Sequence, residues 1–197
     1  SDEYFSVTNG LSLDDHVAIQ KELESDFDIK LSMSIGYGDN PYDANLDAYE
    51  SKKSQKFLNE QYSIFGTLNG HSEHSVTVMH LDVDDITSIR KKSMSPYDTS
   101  SLMFKIYSRM SEYFLSKNSL TFFMGGDNFM VVTNSEFKIF AKDFIQICKD
   151  EFQIELNCGI GTASTSRDAV KLATESLDTI REIRDAGKEK PEIYELN

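Results

Sequence analysis

Polar and apolar positions alternate through "SVTVMHLDVDDI" (75–86), which puts Val76, Val78, His80 and Asp82 on one face and predicts a strand. The period then changes. Over 96–117, Leu102, Ile106, Met110 and Phe114 recur at helical spacing, so a helix is expected. Two short runs rich in aromatic and β-branched residues follow, Phe122-Phe123-Met124 and Phe129-Met130-Val131-Val132, separated by Gly125-Gly126-Asp127-Asn128. They predict two strands and a hairpin turn, because Gly and Asn accept the positive φ angles that such turns demand. The next helix turns Phe140, Phe144, Ile147 and Phe152 inward, and "IELNCGIG" reads as another strand. A last helix carries Ala169, Leu172, Ala173, Leu177 and Ile180 on one stripe, and "EIYEL" adds an edge strand. The order βαββαβ, with a final helix and strand, describes an α+β fold: a ferredoxin-like or palm-type sheet with helices on one face.

The N-terminal third repeats part of this pattern. With a shift of 125 positions, "DEYFSVTNG" falls on "DNFMVVTNS" and "FDIKLSMSIGYG" falls on "FQIELNCGIGTA". At the same offset Asp43-Ala44, Ala48 and Glu50 fall on Asp168-Ala169, Ala173 and Glu175. A constant, gapless offset over about fifty residues marks a duplicated supersecondary unit. The first copy is partial, with a helix over 14–25, a strand over 29–35 and a final helix over 40–57. It begins at the tip of the hairpin equivalent, so a fragment, or a half-unit completed by a partner, is expected. Residues 1–68 are thus read as a partial first palm, 69–74 as a Gly-, Ser- and His-containing linker, and 75–197 as a complete palm.

Composition narrows the partners. Lys and Arg total 20 against 33 Asp and Glu, a net charge of −13, which argues against nucleic acid or an anionic membrane surface. Phosphate ligands stay open, because a metal ion can supply positive charge locally. No apolar run reaches the roughly 18 residues of a membrane span, and the start does not resemble a signal peptide. Cys148 and Cys158 lack metal-type spacing and read as reduced core thiols, which suits a cytoplasmic protein.

The candidate chemistry is acidic. In a palm sheet the first strand lies beside the hairpin, so Asp82 is expected near Asp127. Two close carboxylates repel unless a cation sits between them, and hard oxygen ligands suit Mg²⁺ or Mn²⁺. Gly125 and Gly126 leave backbone N–H groups open to a phosphate. The plainer alternative is a solvated strand end and a solvated turn. Asp84 and Asp85 are weaker candidates. His80 shares the face of Asp82 and is either an acid–base group or a satisfied core histidine. His71 and His74 lie in the linker, and no Cys/His cluster supports a zinc site. No Ser-His-Asp arrangement or Walker loop is present.

"GGDN" on a hairpin after "LDVDD" resembles the palm catalytic domains of GGDEF diguanylate cyclases and class III nucleotidyl cyclases. The duplication, "GGDNFM", "SPYDTSSL" and "IELNCGIGTASTSRDAVKLATESLDTIREI" together resemble archaeal GTP cyclohydrolase III, a tandem-palm enzyme. The resemblance implies opening of the GTP imidazole ring by water, with the terminal phosphates released as inorganic phosphate. The implied product is a formamidopyrimidine ribosyl monophosphate that feeds flavin and deazaflavin synthesis. It also implies two or more Mg²⁺ ions, GTP as the bound nucleotide and a homo-oligomer. By resemblance Asp82 and Asp127 bind metal, with the Val83 carbonyl as a further ligand, and Gly125 and Gly126 border the phosphates. Asp98 reads guanine, unless it only caps its helix. Arg181 meets the triphosphate, unless it is a solvated arginine. Asn128 replaces the acid common in the cyclases and, with Asp127, is assigned to catalysis. An amide orients water but cannot act as a base, so hydrolysis is favoured over cyclisation. A nucleotidyl or diguanylate cyclase and a catalytically silent GTP-binding palm are the competing readings.

Overall fold

The computed structural model describes residues 3–68, 75–84, 94–133 and 137–197. His71 and His74 of the linker, and Asp85 at the end of the expected central strand, lie outside the described residues. The chain divides into two units, Ser1–His74 and Ser75–Asn197.

The first unit contains helices α1 (Leu13–Phe27) and α2 (Pro41–Lys53) and strands β1 (Met33–Ile35), β2 (Phe57–Asn59) and β3 (Ile64–Gly66). Helix α1 opens with a capping box in which Ser12 and Asp15 satisfy each other's backbone N–H groups. It docks through a polar residue: buried Gln20 donates to the carbonyls of Leu31 (2.9 Å) and Tyr62 (2.8 Å). The helix expected over 40–57 stops at Lys53. Gln55 takes a φ of 53°, and Lys56 and Gln55 donate back to the carbonyls of Ser51 and Lys52, a Schellman closure built without glycine. The released chain forms β2 and β3, two strands the hydrophobic pattern does not predict. The sheet runs β1-β3-β2, with β1 parallel and β2 antiparallel to β3.

The second unit contains β4 (Val76–Val83), α3 (Pro96–Leu115), β5 (Leu120–Gly125), β6 (Asn128–Thr133), α4 (Phe137–Phe152), β7 (Leu156–Ala163), α5 (Ser166–Asp185) and β8 (Ile193–Leu196). Its sheet has the order β5-β6-β4-β7-β8, so β4 is central, antiparallel to both β6 and β7. Strand β8 runs parallel to β7 at the edge, as "EIYEL" suggests.

Alternation along β4 separates two chemistries. Met79, Leu81 and Val83 point into a core with Phe129, Val131, Cys158 and Ile160, closed by Ile106, Met110 and Phe114 of α3 and Phe144 of α4. Each fully buried Phe contributes roughly 1.5–3 kcal/mol by leaving water. Helices α3 and α4 therefore cover one face, as the βαββαβ reading requires. Helix α5 covers the other face, which corrects the expectation of helices on one face only. The reason lies in β7: a Cβ on Gly159 would stand 2.2 Å from the Ala173 carbonyl oxygen, and one on Gly161 would stand 2.3 Å from that of Ala169. Glycine lets the α5 backbone touch the sheet directly. Buried Ala169, Ala173, Leu177 and Ile180 seal that contact, while Leu172 is only half-buried.

Candidate active site

The β4–β6 pairing sets Asp82 directly opposite Asn128. The hairpin tip is tight: Gly125 pairs with Asn128, leaving Gly126 and Asp127 as the turn. Gly125 and Gly126 have φ values of +98° and +63°, and among the described residues no atom beyond their own chain neighbours stands within 4 Å of a Cβ built on either. The first fact favours glycine, most of all at Gly125, and the second leaves space over the backbone at the tip.

Asp82 is buried, with 8% side-chain exposure. Its Oδ2 accepts from Arg181 Nη2 at 2.7 Å, while its Oδ1 is buried and has no hydrogen-bond partner among the described residues. A buried carboxylate oxygen without a donor is costly and calls for a cation or a donor. Asp127 is half-buried, and its Oδ1 accepts from Asn128 Nδ2 at 2.9 Å. Asn128 Oδ1 in turn lies 3.1 Å from His80 Nε2, and His80 Nδ1 lies 3.3 Å from the Thr174 hydroxyl on α5. Burial pushes the His80 imidazole below its ordinary value and the Arg181 charge adds to this, against the Asn128 hydrogen bond, which raises it. His80 is therefore buried and bonded on both ring nitrogens, and it touches the hairpin.

Arg181 sits between two carboxylates, Asp82 and Asp178 (2.9 Å). Burial opposes its charge, but those two acids outweigh the effect and raise its pKa. Asp84 is claimed separately by Lys190 (3.0 Å), Arg184 (3.2 Å) and the Asn157 amide (3.2 Å). Burial would raise its pKa, yet those partners hold it below the usual carboxylate range. Asp84 thus anchors β4 to α5 and to the segment before β8. The side chain of Val83 enters the core, at the end of β4 next to Asp82.

Asp98 is the third residue of the α3 capping box, where its Oδ2 accepts from the Ser95 backbone N–H (3.2 Å) and hydroxyl (2.6 Å). It also borders a cavity of about 340 Å³ with Met94, Ser101, Leu102 and Lys105. Cap and cavity wall are compatible roles. Among the described residues, no group of three or more His, Cys, Asp or Glu side chains is arranged to hold a metal. Asp82 faces Asn128 across the β4–β6 ladder, and Asp127 lies in the adjoining turn.

Sequence reasoning missed the contact of His80 with Asn128 and the pairing of Arg181 with Asp178. The second was visible as an i, i+3 acid–base pair on α5. The first required the strand register.

A central strand that carries a buried carboxylate beside a two-glycine hairpin, in a β5-β6-β4-β7-β8 sheet, defines a palm-type α+β domain. The family model for GTP cyclohydrolase III matches residues 1–192, and the chain belongs to that family. It is 32% identical over 185 residues to the GTP cyclohydrolase III of Methanothermobacter thermautotrophicus, covering 91% of this chain and 73% of that protein. It is 30% identical over 196 residues to the enzyme of Methanocaldococcus jannaschii, covering 91% and 68%. Among solved structures it is similar to the active GGEEF domain of a diguanylate cyclase from Vibrio cholerae. That match has a TM-score of 0.49 and 15% identity, over 63% of this chain and 85% of that one.

Proposed function

We propose that this GTP cyclohydrolase opens the imidazole ring of GTP with water and releases a formamidopyrimidine ribosyl monophosphate and inorganic phosphate, with Mg²⁺ or Mn²⁺ bound at Asp82 and Asp127. The observation that carries this is the buried Oδ1 of Asp82, which has no hydrogen-bond partner among the described residues and lies opposite the Asp127 hairpin. An anionic oxygen without a donor fits a hard divalent cation, and two carboxylates with the Val83 carbonyl suit an ion that keeps water and takes phosphate oxygens. Bound there, the ion neutralises triphosphate charge and polarises oxygen.

The chain's own groups divide the remaining work. The open backbone at Gly125 and Gly126 faces the phosphates. Arg181 keeps donors beyond those used on Asp82 and Asp178, and these reach the triphosphate. Asp98 has its Oδ1 free of the cap to accept from the guanine N1–H and 2-amino group, which adenine cannot supply. Asn128 has no basic site, so it orients water instead of taking a proton from a ribose hydroxyl, and hydrolysis is favoured over phosphodiester formation.

The test is incubation with GTP and Mg²⁺, followed by mass and ultraviolet analysis. A ring-opened monophosphate with inorganic phosphate is expected. A cyclic nucleotide or a dinucleotide would assign the chain to cyclase chemistry, and unchanged GTP would make it a binding module.

A further inference from the structure

We infer that His80 is a positioning residue for the hairpin: as an Nε2–H donor it holds the Asn128 amide in place, and that amide in turn holds the Asp127 carboxylate through one of its oxygens. The inference rests on the reading of Asp127 and Asn128 given above.

The argument is one of donors and acceptors. An asparagine amide is nearly symmetric in shape, so only its neighbours determine which end is which. Here one end faces Asp127 Oδ1 at 2.9 Å and the other faces His80 Nε2 at 3.1 Å. An ionised carboxylate only accepts, so the end facing Asp127 must be Nδ2 and the end facing His80 must be Oδ1. His80 must then carry its proton on Nε2, and Nδ1 becomes an acceptor for the Thr174 hydroxyl at 3.3 Å.

A second arrangement competes. The Thr174 hydroxyl also lies 3.0 Å from the Val170 carbonyl oxygen, within the same helix. If its single hydrogen serves Val170, a neutral His80 keeps the Thr174 hydrogen bond only with Nδ1 as the donor and Nε2 as the acceptor. Asn128 would then have to flip and turn its carbonyl oxygen onto the Asp127 carboxylate. Two acceptors in contact are repulsive, so the carboxylate selects the Nε2–H network and transmits that choice to a buried imidazole on the central strand. The amide holds Oδ1 of Asp127. His80 itself is 8% exposed.

Two measurements test this. Long-range ¹H–¹⁵N spectra of the full chain identify the His80 tautomer, and Nε2–H is expected. An Nδ1–H tautomer overturns the inference whatever the activity. Steady-state kinetics with GTP and Mg²⁺ then compare His80→Leu, His80→Gln, Asn128→Leu and the double variant His80→Leu/Asn128→Leu. Removing a group that orients a ligand costs on the order of 10- to 100-fold. That loss is expected in kcat for His80→Leu, with KM for GTP little changed and part of the activity restored in His80→Gln, which keeps an N–H donor. On the Asn128→Leu background, His80→Leu should add less than about twofold. Independent, multiplying effects would overturn the positioning role. If Asn128→Leu alone keeps parental activity, it is the reading of Asn128 under the proposed function that fails, and the tautomer still judges the hydrogen-bond network.

Discussion

The two units use the same packing device to different ends. In the second, Gly161 lets α5 lie directly on β7, with Ala169 and Ala173 against the glycine. In the first, Gly36 stands after β1, where an added Cβ would be 1.9 Å from the Ala44 carbonyl oxygen and 2.4 Å from the Ala48 nitrogen of α2. All three positions correspond at the offset of 125. What differs is the rest of each unit. The second buries Phe114, Phe129 and Phe144 completely and holds a buried carboxylate on its central strand, whereas the first leaves Phe5, Phe27 and Tyr49 largely exposed. Close helix–strand contact is thus separable from a deep core, and the second unit combines that contact with the carboxylate hairpin.

The largest expected effect tests the core. Phe144→Ala should destabilise the second unit by about 3–5 kcal/mol, while Phe57→Ala, at a position 43% exposed in the first unit, should cost far less. Thermal melts of both variants check the contrast. Next comes the shared device: Gly161→Ala forces a Cβ into α5 backbone and should cost about 1–3 kcal/mol. Gly125→Ala meets no atom beyond its chain neighbours among the described residues, so its cost comes from the φ of +98°, about 1–2 kcal/mol.

Acid titration sharpens the comparison further. Asp84 has its folded pKa lowered, so its contribution is present above the unfolded carboxylate value and is lost as pH falls through the folded one. Chemical denaturation between pH 2 and 7 should show Asp84→Asn losing stability at neutral pH and flattening the acid limb.

The smallest effects fall on the matched capping boxes. Ser12→Ala and Ser95→Ala should each cost about 1 kcal/mol. Their acidic partners then separate cap from site. Asp15→Ala and Asp98→Ala both lose a cap, but only Asp98→Ala should lower the GTP-to-ATP preference, by about tenfold or more. Competition binding measures it.

How much of this was legible depended on whether a feature is local. The hairpin could be read from Gly125-Gly126-Asp127-Asn128, and α3 and α5 from their apolar stripes, because turn chemistry and helical period act over a few residues. The proximity of Asp82 to the hairpin followed from palm topology once β4 was seen to precede it. The end of α2 was not legible, since Gln55 takes the left-handed angle usually given to glycine. Nor was the face of α5, because Gly159 and Gly161 look like weak strand residues until the helix that needs them is placed. The His80–Asn128 contact joins residues 48 positions apart, and only the β4–β6 register brings them together.

The central claim is that Asp82 and Asp127 together hold a divalent cation for GTP. Calorimetric titration of GTP into the parent protein and into Asp127→Asn, each with Mg²⁺ and with chelator, tests it most directly. Mg²⁺-dependent binding is expected in the parent and loss of that dependence in Asp127→Asn, with an unchanged melting curve. Equal Mg²⁺-dependent affinity in both proteins would contradict it.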